Sequence, residues 1–329
     1  MRGLVTIFGG SGFIGSNIVR VLAKQGYRVR VAVRQPGRGY RLRMLGDVGQ
    51  IEIVQANIRS AESVARALEG AEAAINAVGV LRESGRQGFG SLHADGAGTI
   101  AREAAAQGVG RLVHLSALGA DADSPAHYAR SKAAGEAAVR AAFPGAIILR
   151  PSVVFGPEDK FLNKFAAMAA IGPLVPLPLI GGGLTRFQPI YVTDLAKAAV
   201  AALAPESAGL TYELGGPAVY SFRELMELVL RESERSRILL PVPWSVAGLL
   251  GVGGDVLGVV HGIVSLSLLE PPITSDQVRL LRADNVVSAG APGLADLGVA
   301  ATALEPLVST WLYRFRKGGQ YADLVERPA

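Results

Sequence analysis

A doubly wound parallel α/β sheet, followed by a smaller and mostly helical domain, is what this sequence predicts, on three observations. Short apolar runs alternate with helix-period stretches through the first 150 residues. A glycine-rich turn separates the first of those runs from the first helical stretch. From about Pro151 the alternation loosens and glycine and proline accumulate.

Leu4–Phe8 is predicted as a strand, and Gly15–Gln25 as a helix with Ile18, Val19 and Leu22 on one face. Arg28–Arg34 alternates as a second strand, and Ile51–Gln55 gives a third. Ser60–Leu68 reads as a helix, Ala73–Val78 as a fourth strand, and Thr99–Gln107 as a helix closed by Gly108. Arg111–Ser116 is a fifth strand; Ala126–Ala142 is a long helix ended by Pro144, before the strand Ala146–Arg150. Strands and helices alternating at this spacing imply parallel pairing through right-handed crossovers. Beyond Pro151, the stretch Gly172 to Gly183 is marked as loop. Gln188–Val192 reads as a strand feeding a helix, Asp194–Leu203, expected to return to the first domain. Ser221–Glu232 is a helix whose Ser221 and Glu224 have capping-box spacing. The expected division is therefore 1–157 with 186–215, and 158–185 with 216–329.

Composition narrows the function classes. Half of the 329 residues are hydrophobic and 19% are charged, so the chain can bury a core and is not disordered. With no cysteine, disulfides, thiolate metal sites and a cysteine nucleophile are excluded. The four histidines, His93, His114, His127 and His261, lack ligand spacing. A net charge of +5 favours anionic partners, such as phosphates or an acidic lipid surface. Nucleic acid is disfavoured, because the basic residues are dispersed and not interleaved with aromatics. Leu4–Phe8 starts too early for a signal sequence, which points to a bacterial cytoplasmic protein. Leu239–Leu269 is strongly apolar, with only Asp255 and His261 ionisable in Ser245–Leu269. Its length permits a membrane span, but its glycines and Asp255 favour packed or partner-facing helices, or contact with a membrane surface.

The glycine turn, Gly9-Gly10-Ser11-Gly12-Phe13-Ile14-Gly15, carries the first functional argument. Between a strand and a helix, one glycine allows the tight turn, another admits a pyrophosphate, and a third lets helix and strand approach. The helix N-terminus then offers unpaired N–H groups to phosphate oxygens. This is the Rossmann arrangement for a dinucleotide. NAD sites place an acid at the end of the second strand, whereas Arg34 stands there, with Arg38 following. A guanidinium binds a 2′-phosphate that a carboxylate would repel, so NADP(H) is expected over NAD(H).

Tyr128 and Lys132, four residues apart on the predicted helix, share one face. An ammonium beside a phenol lowers its pKa, preparing it for proton transfer during hydride transfer. Together with Arg150-Pro151-Ser152-Val153-Val154-Phe155-Gly156-Pro157 and Tyr191-Val192-Thr193-Asp194-Leu195-Ala196, these residues resemble the extended short-chain dehydrogenase/reductases. In active members a serine near the end of strand five orients the substrate. Here Leu118 stands at that position, with Ser116 two residues early, and His93 stands where active members carry a helix-four asparagine. The resemblance implies catalytic candidates Tyr128, Lys132 and Ser116. It also implies a cofactor set of Gly9, Ser11, Gly12, Phe13, Ile14, Gly15, Arg34, Asn57, Ile58, Ala77, Val78, Gly79, Leu115, Ser116, Tyr128, Lys132, Pro151, Ser152 and Val153.

Phe155–Asn163, Gln188–Val192 and Pro271–Val278 bring a narrower resemblance, to the nucleotide-binding accessory subunits of respiratory complex I and their bacterial relatives. It implies an NADPH held structurally and docking beside the quinone region of NADH:ubiquinone oxidoreductase. It also implies a location peripheral to the inner membrane, on the matrix side if the chain is organellar. Two other readings stay open: an NADPH-dependent reductase in ubiquinone or isoprenoid-lipid metabolism, and a nucleotide-sugar epimerase or dehydratase.

Overall fold

The computed structural model describes residues 2–83, 85, 87–172, 176–264 and 273–319, the side chains of 256–264 excepted. The first six strands are β1 (Arg2–Phe8), β2 (Tyr27–Val33), β3 (Ile51–Gln55), β4 (Ala73–Asn76), β5 (Arg111–Leu115) and β6 (Ile147–Pro151). Between them run helices α1 (Phe13–Lys24), α2 (Ala61–Leu68), α3 (Gly96–Ala106) and α4 (His127–Ala142). After the short strand β7 (Val154–Phe155) come α5 (Leu162–Ile171), β8 (Leu177–Ile180), β9 (Arg186–Phe187), β10 (Ile190–Tyr191) and α6 (Val192–Ala201). The chain continues through β11 (Thr211–Leu214), β12 (Tyr220–Ser221), α7 (Phe222–Glu232), β13 (Leu239–Val242), α8 (Trp244–Val264), α9 (Ser275–Leu280) and α10 (Glu305–Leu312).

Seven strands form one sheet in the order β11-β6-β5-β4-β1-β2-β3, and all its pairs are parallel. The chain winds outward from β1 to β3, then restarts at β4 on the other side of β1. That reversal leaves a crevice at the carboxyl ends of β1 and β4, where open α/β sheets bind ligands. Burial explains why the strands read as continuous apolar runs: Val5, Ile7 and Phe8 on β1 and Ile147 to Leu149 on β6 are almost wholly covered. Ile18, Val19 and Leu22 of α1 are fully buried, as the helix-face reading expected.

Two compact units result. The first comprises Met1–Pro151, Val192–Leu214 and Val287–Ala300, and the second Ser152–Tyr191, Gly215–Val286 and Ala301–Ala329. The sequence placed the first departure at 157 and the return at 186–215; here the chain leaves after Pro151 and returns at Val192. The contribution of Val287–Ala300 had no local signature. Part of it pairs with β11, where the Glu213 amide donates to the Pro292 carbonyl and the Ser288 amide to the Glu213 carboxylate.

The second unit has its own core, in which Phe155, Phe187, Phe222, Leu225 and Trp311 pack with α5, α7 and α10. The capping box expected at α7 is present, with Ser221 accepting from the Glu224 amide and Glu224 from that of Ser221. The supposed loop 172–183 contains strand β8, which pairs in parallel with β13 in a two-stranded sheet. Pro178 and Pro241 are tolerated there because a two-stranded sheet is all edge. Of the apolar stretch Leu239–Leu269, α8 accounts for residues 244–264, and 265–269 lie outside the described residues. Asp255 accepts from the Ser275 amide at the start of α9, so the acid inside the apolar stretch joins two helices. Among the described residues, no helix is long and apolar enough to cross a membrane.

Candidate functional site

At the carboxyl end of β1 the backbone turns at Gly9, whose φ of +79° is left-handed and favours glycine. A Cβ there would stand 2.9 Å from the Ala77 carbonyl oxygen, and one on Gly15 would collide with the Gly9 carbonyl. Both glycines are therefore required by close backbone approach. The Gly12 amide donates to the Gly9 carbonyl at 3.0 Å and closes the turn. Gly12 is the N-cap of α1 and is exposed; no described side chain caps the helix. Ser11, Phe13 and Ile14 are half-buried around it. This uncapped N-terminus, with its positive dipole end, fits a pyrophosphate.

The neighbouring strand ends supply the flanks. Arg34 lies one residue beyond β2, exposed, with its guanidinium 3.3 Å from the Gln87 side-chain oxygen. Asn57 follows β3, and its side-chain oxygen accepts from the Arg59 amide. The Ile58 side chain is core, packed where Gly96 leaves room, so only its backbone can line a site. Ala77 and Val78 are half-buried and Gly79 is exposed beyond β4. Val78 donates its amide to the Asn76 side chain.

Tyr128 and Lys132 sit on the first turns of α4, with the ammonium 6.0 Å from the centre of the phenol ring. The Lys132 ammonium donates to the Leu115 carbonyl at 3.1 Å, tying α4 to the end of β5. Burial pulls Lys132 down to about 8, against the opposing pull of Glu136. Burial also pushes the Tyr128 phenol up to about 12. The sequence expected a phenol lowered by its lysine; here the shift runs the other way, and burial is its cause. His93 and His114 are both driven down to about 3, first by burial and then by the charge on Lys132.

Hydrogen-bond directions fix the states of these groups. The Asn76 side-chain oxygen accepts from Val78, so its amide nitrogen faces His114 Nδ1 at 3.0 Å and donates to it. His114 Nε2 then carries the proton, buried and without a hydrogen-bond partner among the described residues. The Ser116 hydroxyl is in the same situation. Leu118 is buried, and its amide donates to the Pro151 carbonyl. The position expected for a serine thus offers a hydrocarbon. Asn76 was not anticipated from the sequence, which ran the fourth strand on to Val78 where the structure ends it at Asn76; the one polar residue inside that apolar run was the available signal.

Pro151 ends β6 in the first unit, whereas Ser152 and Val153 belong to the second. The Ser152 hydroxyl bonds to the Asn285 carbonyl and side-chain oxygens at 2.9 and 2.7 Å, and the Val153 amide donates to the same side chain. Their polar groups therefore have structural partners, and Asn285, which the sequence did not flag, organises them.

Residues 5–215 match the NAD dependent epimerase/dehydratase family. The protein of Arabidopsis thaliana named NADH dehydrogenase (ubiquinone) 1 alpha subcomplex subunit 9, mitochondrial, is 35% identical over 96% of this chain and 79% of its own length. The mouse protein of the same name is 34% identical over 92% and 78%. A ceramide reductase of Caulobacter vibrioides is 36% identical over 200 residues, 61% of each chain. Among solved structures, gox2253 superposes with a TM-score of 0.71 over 96% of this chain and all of its own, at 19% identity. DesIV, a dTDP-glucose 4,6-dehydratase of Streptomyces venezuelae with NAD bound, gives 0.61 over 73% of this chain and 84% of its own, at 26% identity.

Proposed function

This chain belongs to the NAD-dependent epimerase/dehydratase family, and from that premise we propose that it is an accessory subunit of a respiratory NADH:ubiquinone oxidoreductase, holding NADP(H) as a structural ligand. The observation carrying this reading is breadth of similarity: relatives named as alpha subcomplex subunit 9 share 31–35% identity across at least 92% of this chain. Gly9, Gly12 and Gly15 would hold the pyrophosphate, Gly79 and Val80 would border the nicotinamide side, and Arg34 would meet the 2′-phosphate. When bound, the cofactor supplies hydride chemistry. Leu118 offers no hydroxyl to orient a carbonyl, and desolvation of the half-buried Tyr128 phenol pushes its pKa up to about 12. These two features support a reading of binding with weak or absent turnover. On this reading the protein docks near the quinone region, peripheral to the energy-transducing membrane, and its +5 charge assists contact with anionic lipid.

Purification from native membranes tests the assignment. Co-migration with NADH dehydrogenase activity through a high-salt wash is expected, and clean release with no enzyme attached would overturn it. Calorimetry tests the cofactor: NADPH should bind at least about ten-fold tighter than NADH, a bias of about 1.4 kcal/mol.

A second reading has its own support in the likeness to ceramide reductase and in the retained Tyr128–Lys132 pair. In an NADPH-dependent reductase of a lipid carbonyl, Tyr128→Phe should cost about 10² or more in rate. A structural subunit should keep both cofactor and assembly after that change.

A further inference from the structure

His93 lies in a π-helical turn, Gly90–Asp95, immediately before α3. Such turns are rare and are enriched at functional sites. The turn seats the His93 backbone carbonyl directly against Gly135 of α4, where any Cβ would collide with that oxygen. The imidazole is 1% exposed and stacks on Phe89, with ring centres 5.3 Å apart and planes 16° from parallel. It meets Tyr128 edge-on, with centres 5.5 Å apart.

The partners of the ring leave one consistent proton arrangement. A backbone amide can only donate, so Val80 N–H at 3.1 Å makes His93 Nε2 the acceptor. His93 Nδ1 therefore bears the hydrogen and donates to the Ser131 hydroxyl at 2.9 Å. The Ser131 hydroxyl spends its own proton on the Tyr128 carbonyl at 2.7 Å. The string runs one way, from Val80 through His93 and Ser131 to the backbone of α4, and both ring nitrogens are used. Passing a proton from Lys132 through this ring would require breaking the bond from Val80. On the outer side, a Cβ on Gly79 would stand 3.5 Å from the Lys132 nitrogen and 3.9 Å from His93 Nε2. The exposed Gly79 backbone, the lysine and the imidazole thus converge.

We propose that His93 is a positioning residue of the dinucleotide site: as the Nδ1–H tautomer it fastens the Gly79–Val80 backbone to α4, fixing the strand-four loop against Tyr128 and Lys132. The idea rests on the dinucleotide reading above and adds a division of labour to it. Lys132 faces the ligand, while His93 holds the wall that the ligand leans on and carries no proton to the site.

Two variants and one spectrum test it. His93→Gln keeps an acceptor near the position of Nε2, whereas His93→Leu keeps ring-like bulk and removes both hydrogen bonds. Titration with NADPH should give His93→Gln an affinity within about three-fold of the parent and His93→Leu a loss of ten-fold or more. The amide resonances of Gly79 and Val80 should move in the leucine variant and return toward parental values in the glutamine one. With histidine-selective ¹⁵N labelling, the resonance lost in His93→Gln identifies the ring, which should show Nδ1 protonated and Nε2 bare at pH 7. A protonated Nε2, or a leucine variant that binds NADPH as tightly as the parent, overturns the proposal. If His93→Leu does not fold, the tautomer and the glutamine variant still decide it. Should the parent chain bind neither NADPH nor NADH, the dinucleotide reading fails first, and the tautomer remains a separate measurement.

Discussion

His114 shows how much chemistry a single buried ring can encode. It is 1% exposed and driven down to about 3, chiefly by burial, and His93 behaves alike. An unfolded histidine takes up a proton near pH 6.5, so between pH 6.5 and 3 the unfolded chain binds more protons than the folded one. Stability therefore falls as pH drops through that window. At pH 5 each histidine withdraws about 2 kcal/mol. His114→Asn keeps an acceptor for the Asn76 amide and removes the titration. The variant should lose less of its denaturation midpoint than the parent between pH 7 and 5; equal losses would clear His114 of the effect. Lys132 acts at the other end. Its folded pKa of about 8 lies below the unfolded value of 10.5, so its burial cost is present below pH 8 and relieved as pH rises toward 10.5. Of these residues the sequence showed Tyr128 and Lys132 by their spacing. It could not show the Asn76–His114 and His93–Ser131 pairs, since each joins residues 38 positions apart.

Helix α4 brings a competition between local propensity and packing. Alanine is preferred to glycine inside a helix by about 1 kcal/mol, so Gly135→Ala should stabilise the chain if propensity ruled. Its Cβ would instead meet the rigid carbonyl of His93, and overpacking of that kind costs about 1–3 kcal/mol. A lower urea midpoint for Gly135→Ala is expected, while Gly37→Ala, with open space around it, should fall within about 0.5 kcal/mol of the parent. A stabilised Gly135→Ala would mean that α4 and the π-turn do not touch as described. At the same scale, Ser221→Ala should cost about 1 kcal/mol through the lost cap of α7. That cap was legible because both partners lie within four residues, as was β3, found where expected at Ile51–Gln55. Strand β8 was hidden by Pro178 and the surrounding glycines, because its partner β13 lies about sixty residues away. Local composition reports turns well and distant edges poorly.

Across the whole molecule, the parallel sheet was readable because most of its crossovers repeat one strand–helix–strand pattern, whereas Asn285 and Val287–Ala300 join their units only through contacts far along the chain. A ligand at the β1–β4 crevice binds a surface that exists only once the first unit has folded, so it must stabilise that unit by mass action. At one hundred times its dissociation constant NADPH should add about 2.7 kcal/mol. For a unit of this size that is about 5–10 °C in the melting temperature. Arg34 separates specific from general binding. It is exposed at the end of β2, so Arg34→Glu disturbs no core, yet it sets a carboxylate against a 2′-phosphate while leaving room for ribose hydroxyls. The expected result is a melting temperature unchanged without ligand, a shift with NADPH that largely disappears, and a shift with NADH that is retained or enlarged. A full NADPH shift in Arg34→Glu would remove Arg34 from the phosphate site and leave the glycine turn as the sole basis for binding. Loss of both shifts would mean that Arg34 supports the adenosine end as a whole, and the discrimination between cofactors would have to come from elsewhere on the sheet.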